Sequence, residues 1–230
     1  MPDAVPNPEL LHSLGRLVRG LSALFWGLPA ALIVCVGTAV GGWFSIYGIC
    51  AVVPPMATTG LLVFGLWQLD AFQKQERPWY NALDRTKIFA LINFGLSPFV
   101  FLWYHQPTEA RFAISVLVLA LSAWFFLFSL NTVVFRLGAM LPDETLRHET
   151  RQFTSLNRSL LLTLLLVLAV QVALLRIRHF PEQMANFVML WERGWLWLVI
   201  LLGLLPLAMT MALVWKTKEV IMDSVFGAKN

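Results

Sequence analysis

Four side-chain amides interrupt long apolar stretches of this chain: Gln68, Asn93, Asn131 and Gln171. An amide both donates and accepts hydrogen bonds, so in apolar surroundings it either bonds to a neighbouring helix or lines a path for a polar solute. Both interpretations stay open, and the second makes these four amides a candidate polar path. Pro29 and Pro98 lie in two of the same stretches and are candidate helix kinks, because proline lacks a backbone N–H.

Three arginines precede apolar stretches in similar tetrapeptides, Ser-Leu-Gly-Arg, Ala-Leu-Asp-Arg and Ser-Leu-Asn-Arg, which end at Arg16, Arg85 and Arg158. The arginines are 69 and 73 residues apart, a spacing that favours an internal threefold repeat. In such a repeat they form a candidate cytoplasmic basic ring that attracts anions. The alternative is that each arginine anchors its helix against anionic lipid headgroups.

Few other residues indicate chemistry. Asp70 ends the longest charge-free stretch, and Lys74 follows at the spacing of a helical ion pair, so a structural pair is expected there rather than a site. The two cysteines and four histidines are scattered, without the spacing of a metal site. No hydrolase or nucleotide-binding motif occurs. We therefore expect neither an enzyme nor a bound cofactor or metal.

The elements that hold these residues follow from composition. The chain is 58% hydrophobic and 13% charged, against about 25% charged in soluble domains. Five stretches carry no charge, and each exceeds or approaches the roughly 20 residues of a spanning helix. The first stretch, 20–69, is long enough for two helices, divided between Gly41-Gly42 and Pro54-Pro55. The sequence thus predicts an all-α, polytopic integral membrane protein with one six-helix domain over residues 1–230 and spans at about 20–43, 55–72, 86–104, 112–135, 159–177 and 194–215.

Basic residues predict the orientation of these spans. With the N-terminus inside, the cytoplasmic segments hold 13 of the 17 lysines and arginines. This asymmetry obeys the positive-inside rule and predicts a multi-pass protein of the cell membrane with both termini cytoplasmic. Its expected partners are anionic headgroups on that side and a further protein or a second copy, whereas nucleic acid is not expected.

Pairing consecutive spans favours three tandem helical hairpins. Small residues of the first span predict a helix-packing face, namely Ala23, Gly27, Ala31, Cys35, Ala39 and the pair Gly37–Gly41. The repeat, the prolines and the amides favour a channel or transporter for a small solute or ion. The alternative is a non-catalytic scaffold or accessory subunit of a larger membrane complex.

Overall fold

The computed structural model describes residues 8–43, 45–70, 72, 76–140, 144–176 and 182–226, which are nearly all helical and contain no strand. A short 3-10 helix, Ser45–Val52, precedes α2. The α-helices are α1 (Pro8–Gly41), α2 (Val53–Leu69), α3 (Arg77–Leu96), α4 (Pro98–His105), α5 (Ala110–Met140), α6 (Glu144–Arg176) and α7 (Glu182–Phe226).

The all-α fold with six membrane-spanning helices is confirmed. Six helical segments are long and apolar enough to cross a bilayer: His12–Gly41, Tyr47–Leu69, Arg77–His105, Ala110–Met140, Arg147–Leu174 and Trp197–Met222. Several helices continue well beyond the apolar part of their span. The 45 residues of α7 measure about 67 Å at 1.5 Å per residue, roughly twice the thickness of a hydrocarbon core. The ends of such helices therefore project into the aqueous phase.

The break between the first two spans is shorter than the sequence predicts. Helix α1 ends at Gly41, and Gly42 has a φ of +55°, which glycine adopts without steric cost. Gly42 is also in close contact with Tyr104 of α4, which leaves no room for a Cβ atom. Pro54 and Pro55, expected to lie in the turn, instead form the first turn of α2, because proline is well suited to that position.

The spans pack in chain order as a closed ring. Helix α1 packs on α2, α2 on α3, α3 on α5, α5 on α6 and α6 on α7, and α7 returns to α1. The most extensive interfaces are α1–α2, α3–α5 and α6–α7, which are the three predicted hairpins. Helix α5 also contacts α7, so α5, α6 and α7 form a mutually packed triangle. The repeat in sequence itself stays a prediction.

Two prolines predicted as kinks have different surroundings. Pro29 lies inside the uninterrupted helix α1, whereas Pro98 begins α4 after a break at Ser97. Pro98 cannot donate to the Phe94 carbonyl, four residues earlier. The Ser97 hydroxyl donates to that carbonyl at 2.8 Å. The side chain thus compensates for the hydrogen bond that the proline removes.

The core is apolar and is tightest between α1 and α2. Leucines 17, 21, 24, 62, 66 and 69 form much of it. Trp79 is fully buried in this core and contacts Phe72 edge-on.

Candidate functional site

The four predicted amides lie in four separate environments. Gln68 accepts a hydrogen bond from Arg16 Nε at 3.3 Å. Gln171 accepts one from Trp191 Nε1 at 2.7 Å, which joins α6 to α7. Asn93 and Asn131 are buried in α3 and α5. In the part of the chain that the structure describes, no hydrogen bond joins any two of these four amides.

Asn93 lies beside the break in the third span. Its Oδ1 is buried and has no hydrogen-bond partner among the described residues. Ser97, one turn along, accepts a hydrogen bond from Thr59 of α2 at 3.3 Å. Ser122 of α5 donates to the Phe89 carbonyl at 3.3 Å, one turn before Asn93. These hydroxyls bond between helices, which is the ordinary packing role of polar groups in membranes.

Asn131 belongs to a larger polar group at the α5–α6–α7 triangle. Asn131 of α5, Asn157 of α6 and Thr210 of α7 are all fully buried. The Asn157 Nδ2 donates to Thr210 Oγ1 at 2.9 Å, and that hydroxyl donates to the Pro206 carbonyl at 2.8 Å. We call Asn131, Asn157 and Thr210 the amide layer.

A neighbouring hydrogen bond places Asn131 at the level of Asn157. Arg158 Nη2 donates to Thr132 Oγ1 at 3.1 Å, and its guanidinium lies 5.5 Å from the Phe128 ring centroid. Thr132 and Arg158 follow directly on Asn131 and Asn157 in the sequence. Gly138 of α5 also lies against Thr150 of α6, and each asparagine is seven residues farther along its helix from that contact. The two asparagines therefore lie at similar heights, and the three members of the amide layer share about one depth.

The amide layer holds hydrogen-bonding groups without partners. Asn131 Oδ1, Asn131 Nδ2 and Asn157 Oδ1 are buried and make no hydrogen bond within the described residues. Leaving such a group unsatisfied costs about 1–3 kcal/mol. An apolar side chain of similar volume would avoid this cost. These groups therefore keep unused hydrogen-bonding capacity within the described residues.

A row of hydroxyls leads from the layer toward the polar end of α6. Thr154 and Thr150 precede Asn157 at helical spacing, are buried, and have unpaired Oγ1 atoms in the described structure. On the other side Leu161 is buried, and Trp124 Nε1 donates to its carbonyl at 3.0 Å. The buried polar row thus extends from Thr150 to Asn157 and is followed by the apolar side chain of Leu161.

The three arginines of the candidate ring differ in their surroundings. Arg16 is half-buried against Gln68, Arg158 is half-buried against Thr132, and Arg85 is exposed on α3. Arg85 makes no hydrogen bond or ion pair with the described residues, while the other two bond within the protein. The basic ring stays a prediction.

Asp70 is paired with Lys87 of α3. Its Oδ1 lies 2.7 Å from Lys87 Nζ, and Asp84 Oδ1 lies 3.4 Å from the same nitrogen. Lys87 Nζ also lies 5.5 Å from the centroid of the Tyr80 ring. The pair joins the end of α2 to α3. Lys74 lies outside the described residues, so the expected Asp70–Lys74 pair stays a prediction.

Comparison with protein-family models, with curated proteins and with solved structures finds no match to this chain. The described residues also bring together no group of three histidine, cysteine or acidic side chains able to hold a metal ion. Functional inference therefore depends on the geometry of the amide layer.

Proposed function

We propose that this protein is a multi-pass membrane protein that conducts a small polar solute or ion, with the amide layer as its binding site. The observation that carries the proposal is the burial of three unpaired amide atoms at Asn131 and Asn157. Their desolvation is unfavourable unless a polar species occupies the site for part of the time. The bilayer in question is the cell membrane, with both termini in the cytoplasm and basic flanks against anionic headgroups.

The chemistry of the layer restricts the solute. The layer presents two unpaired carbonyl oxygens and one unpaired NH2 group, and none of its three members carries a charge. The Thr210 hydroxyl is already engaged by Asn157 and the Pro206 carbonyl. Neutral oxygens and an amide NH2 group suit water, a small uncharged solute with hydroxyl or amide groups, or a weakly hydrated monovalent cation. A divalent cation prefers carboxylate ligands. The proposed substrate is accordingly neutral or singly charged.

Passage requires that the apolar barrier at Leu161 moves. Thr150 and Thr154 provide hydrogen-bonding groups on one side of the layer, and Leu161 closes the other. Hydrophobic constrictions of this kind gate channels by excluding water. Pro206 lies inside α7 one turn from Thr210, so its missing N–H weakens the helix where such a movement is needed.

Flux through liposomes that contain the purified protein tests this proposal. Water, urea and glycerol are followed by stopped-flow light scattering, and K⁺ by an encapsulated fluorescent indicator. Asn131→Leu should reduce the conducted flux about tenfold or more, because each 1.4 kcal/mol added to the activation barrier for passage lowers the rate tenfold. Thr86→Val is the matched control, since Thr86 is equally buried but bonds its own helix at 2.9 Å. Equal flux in wild type, Asn131→Leu and empty liposomes for all four probes contradicts the proposal.

A second candidate function is that of a non-catalytic accessory subunit of a larger membrane complex. It is favoured by the continuous apolar packing of α1, α2 and α3, where leucines and Trp79 fill the interfaces. A subunit of this kind co-purifies with its partner at fixed stoichiometry and conducts nothing alone. Affinity purification from native membranes, followed by mass measurement of the intact complex, separates it from a channel that purifies without a partner.

A further inference from the structure

The face of α6 that points away from the bundle carries six exposed, mostly polar residues around a shallow, open depression: His148, Arg151, Gln152, Ser155, Leu156 and Ser159. We call these residues the outer α6 patch. These residues recur at helical spacing and so share one face. The buried residues Thr150, Thr154, Asn157 and Leu161 occupy the opposite face. The outer α6 patch therefore lies outside the α5–α6–α7 triangle and is separate from the amide layer.

The same face changes from polar to apolar at one height. Leu162 and Leu166 continue it beyond Ser159, and their side chains are 55% and 64% exposed. The charge-free stretch of α6 begins at Ser159, so the hydrocarbon boundary lies near that residue. The outer α6 patch thus lies at headgroup depth, next to a strip of exposed leucines that acyl chains can cover.

The positive charge of the outer α6 patch favours an anionic ligand. Arg151 is exposed there, and His148, Gln152 and Ser155 supply further donors, while the Ser159 hydroxyl donates to the Leu156 carbonyl at 2.8 Å. The adjacent Glu149 carboxylate is paired with Lys216 of α7, so it does not offset the Arg151 charge. The nearest acidic residue on this face is Glu144, one turn farther from the bilayer. Guanidinium and neighbouring donors form strong, charge-assisted hydrogen bonds with phosphate oxygens.

We propose that the outer α6 patch binds the phosphate headgroup of an anionic phospholipid, whose acyl chains lie along Leu162 and Leu166. Charge complementarity at headgroup depth and the apolar strip above it together favour a lipid over a soluble anion. The site is independent of solute passage, so it stands even where the proposed function fails.

Native mass spectrometry of the full-length protein in mixed phosphatidylglycerol and phosphatidylcholine tests this site. The wild type retains phosphatidylglycerol preferentially, and Arg151→Gln together with His148→Gln reduces the bound fraction about tenfold, as expected for the loss of roughly 1.4 kcal/mol. Arg85→Gln is the matched control, because Arg85 is equally exposed on α3 and removes the same charge. It leaves phosphatidylglycerol binding unchanged.

Two further arms make the result decisive. In the first, inorganic phosphate at millimolar concentration should fail to displace the lipid. In the second, Leu166→Ser should weaken lipid retention although the outer α6 patch keeps its charge. Displacement by phosphate indicates a soluble-anion site and overturns the proposal. Equal loss in Arg85→Gln and in the double variant overturns it as well, because general surface charge then explains the preference. Where the double variant is poorly produced, Arg151→Gln alone gives the same discrimination.

Discussion

Two regions of this bundle solve the problem of packing helices in lipid in opposite ways. At the α1–α2 interface two glycines let the backbones approach, so that a Cβ atom added to Gly20 would lie 2.7 Å from the Gly65 carbonyl oxygen. At the α5–α6–α7 triangle the contact residues include Asn131, Asn157 and Thr210, and several of their polar atoms are unpaired in the described structure. The first region is optimised for contact. The second retains buried polar atoms without partners, which lowers stability, and such locally unfavourable features are typical of functional sites.

The comparison predicts its largest effect at Gly20. Gly20→Ala should destabilise the protein by about 1–3 kcal/mol, because the new methyl group displaces Leu69 or the α2 backbone. The measurement is the free energy of unfolding by sodium dodecyl sulfate in mixed micelles. Gly95→Ala is the control, since a Cβ atom there meets nothing within 4 Å. If both variants unfold alike, the close approach of α1 and α2 has no energetic importance.

The amide layer predicts an effect of the opposite sign. Asn131→Leu should stabilise the protein by about 1–2 kcal/mol, because it replaces unpaired buried amide atoms with an apolar group of similar volume. The same unfolding titration measures it. A loss of stability would mean that the amide is satisfied in the folded protein, and the contrast between the two regions would disappear.

Ion pairs at the ends of the helices give a smaller effect. Lys87→Met should destabilise the protein by about 1 kcal/mol, since Lys87 is only 13% exposed and bonds Asp70 at 2.7 Å. Lys216→Met removes the more exposed pair with Glu149 and should cost less than about 0.5 kcal/mol. Unfolding of both variants at low and high salt provides the test. A larger loss for Lys216→Met would reverse the order that burial predicts.

The smallest predicted difference lies between two buried threonines. Thr38 of α1 donates to the Val34 carbonyl at 2.7 Å, whereas Thr154 of α6 has no partner in the described structure. Thr38→Val should therefore cost about 0.6 kcal/mol, the average for such bonds in membranes, and Thr154→Val should be neutral or slightly stabilising. Thermal unfolding of the two variants in one detergent resolves this difference. Equal losses would show that Thr154 is bonded after all.

The positions of the spans could be predicted because bilayer thickness imposes them. In a chain this apolar, a run of about 20 uncharged residues has few alternatives to a membrane-spanning helix. Even so, the break before α2 was longer in prediction than in the structure, because Pro54 and Pro55 are compatible with both a turn and a first helical turn.

Helix contacts were less predictable. The small residues of α1 predicted a packing face, and Gly27 does meet Leu62 of α2. Gly37 and Gly41, however, are covered by the indole of Trp43, which folds back from the end of the same helix. The closest approach, between Gly20 and Gly65, was missed, because small residues indicate that a face can pack without indicating which neighbour packs on it.

The candidate site could be predicted in part. Asn131 was identified from its place in an apolar stretch, but Asn157 was considered only as part of the repeated tetrapeptide beside Arg158. The spacing of Thr150, Thr154, Asn157 and Leu161 carried the missing signal, since these residues share one helical face. The Asp70–Lys87 pair lay beyond prediction, because it depends on the path of the chain between α2 and α3.

Hydration of the amide layer is the central claim, and cysteine accessibility tests it most directly. Cys35 and Cys50 are first replaced by alanine, and Asn131→Cys and Val133→Cys are compared in the same background, because both positions are fully buried on α5 at nearly one depth. A charged, membrane-impermeant methanethiosulfonate reagent should modify the thiol at position 131 and leave that at position 133 unmodified. Equal protection of both thiols would contradict a water-accessible site at the amide layer.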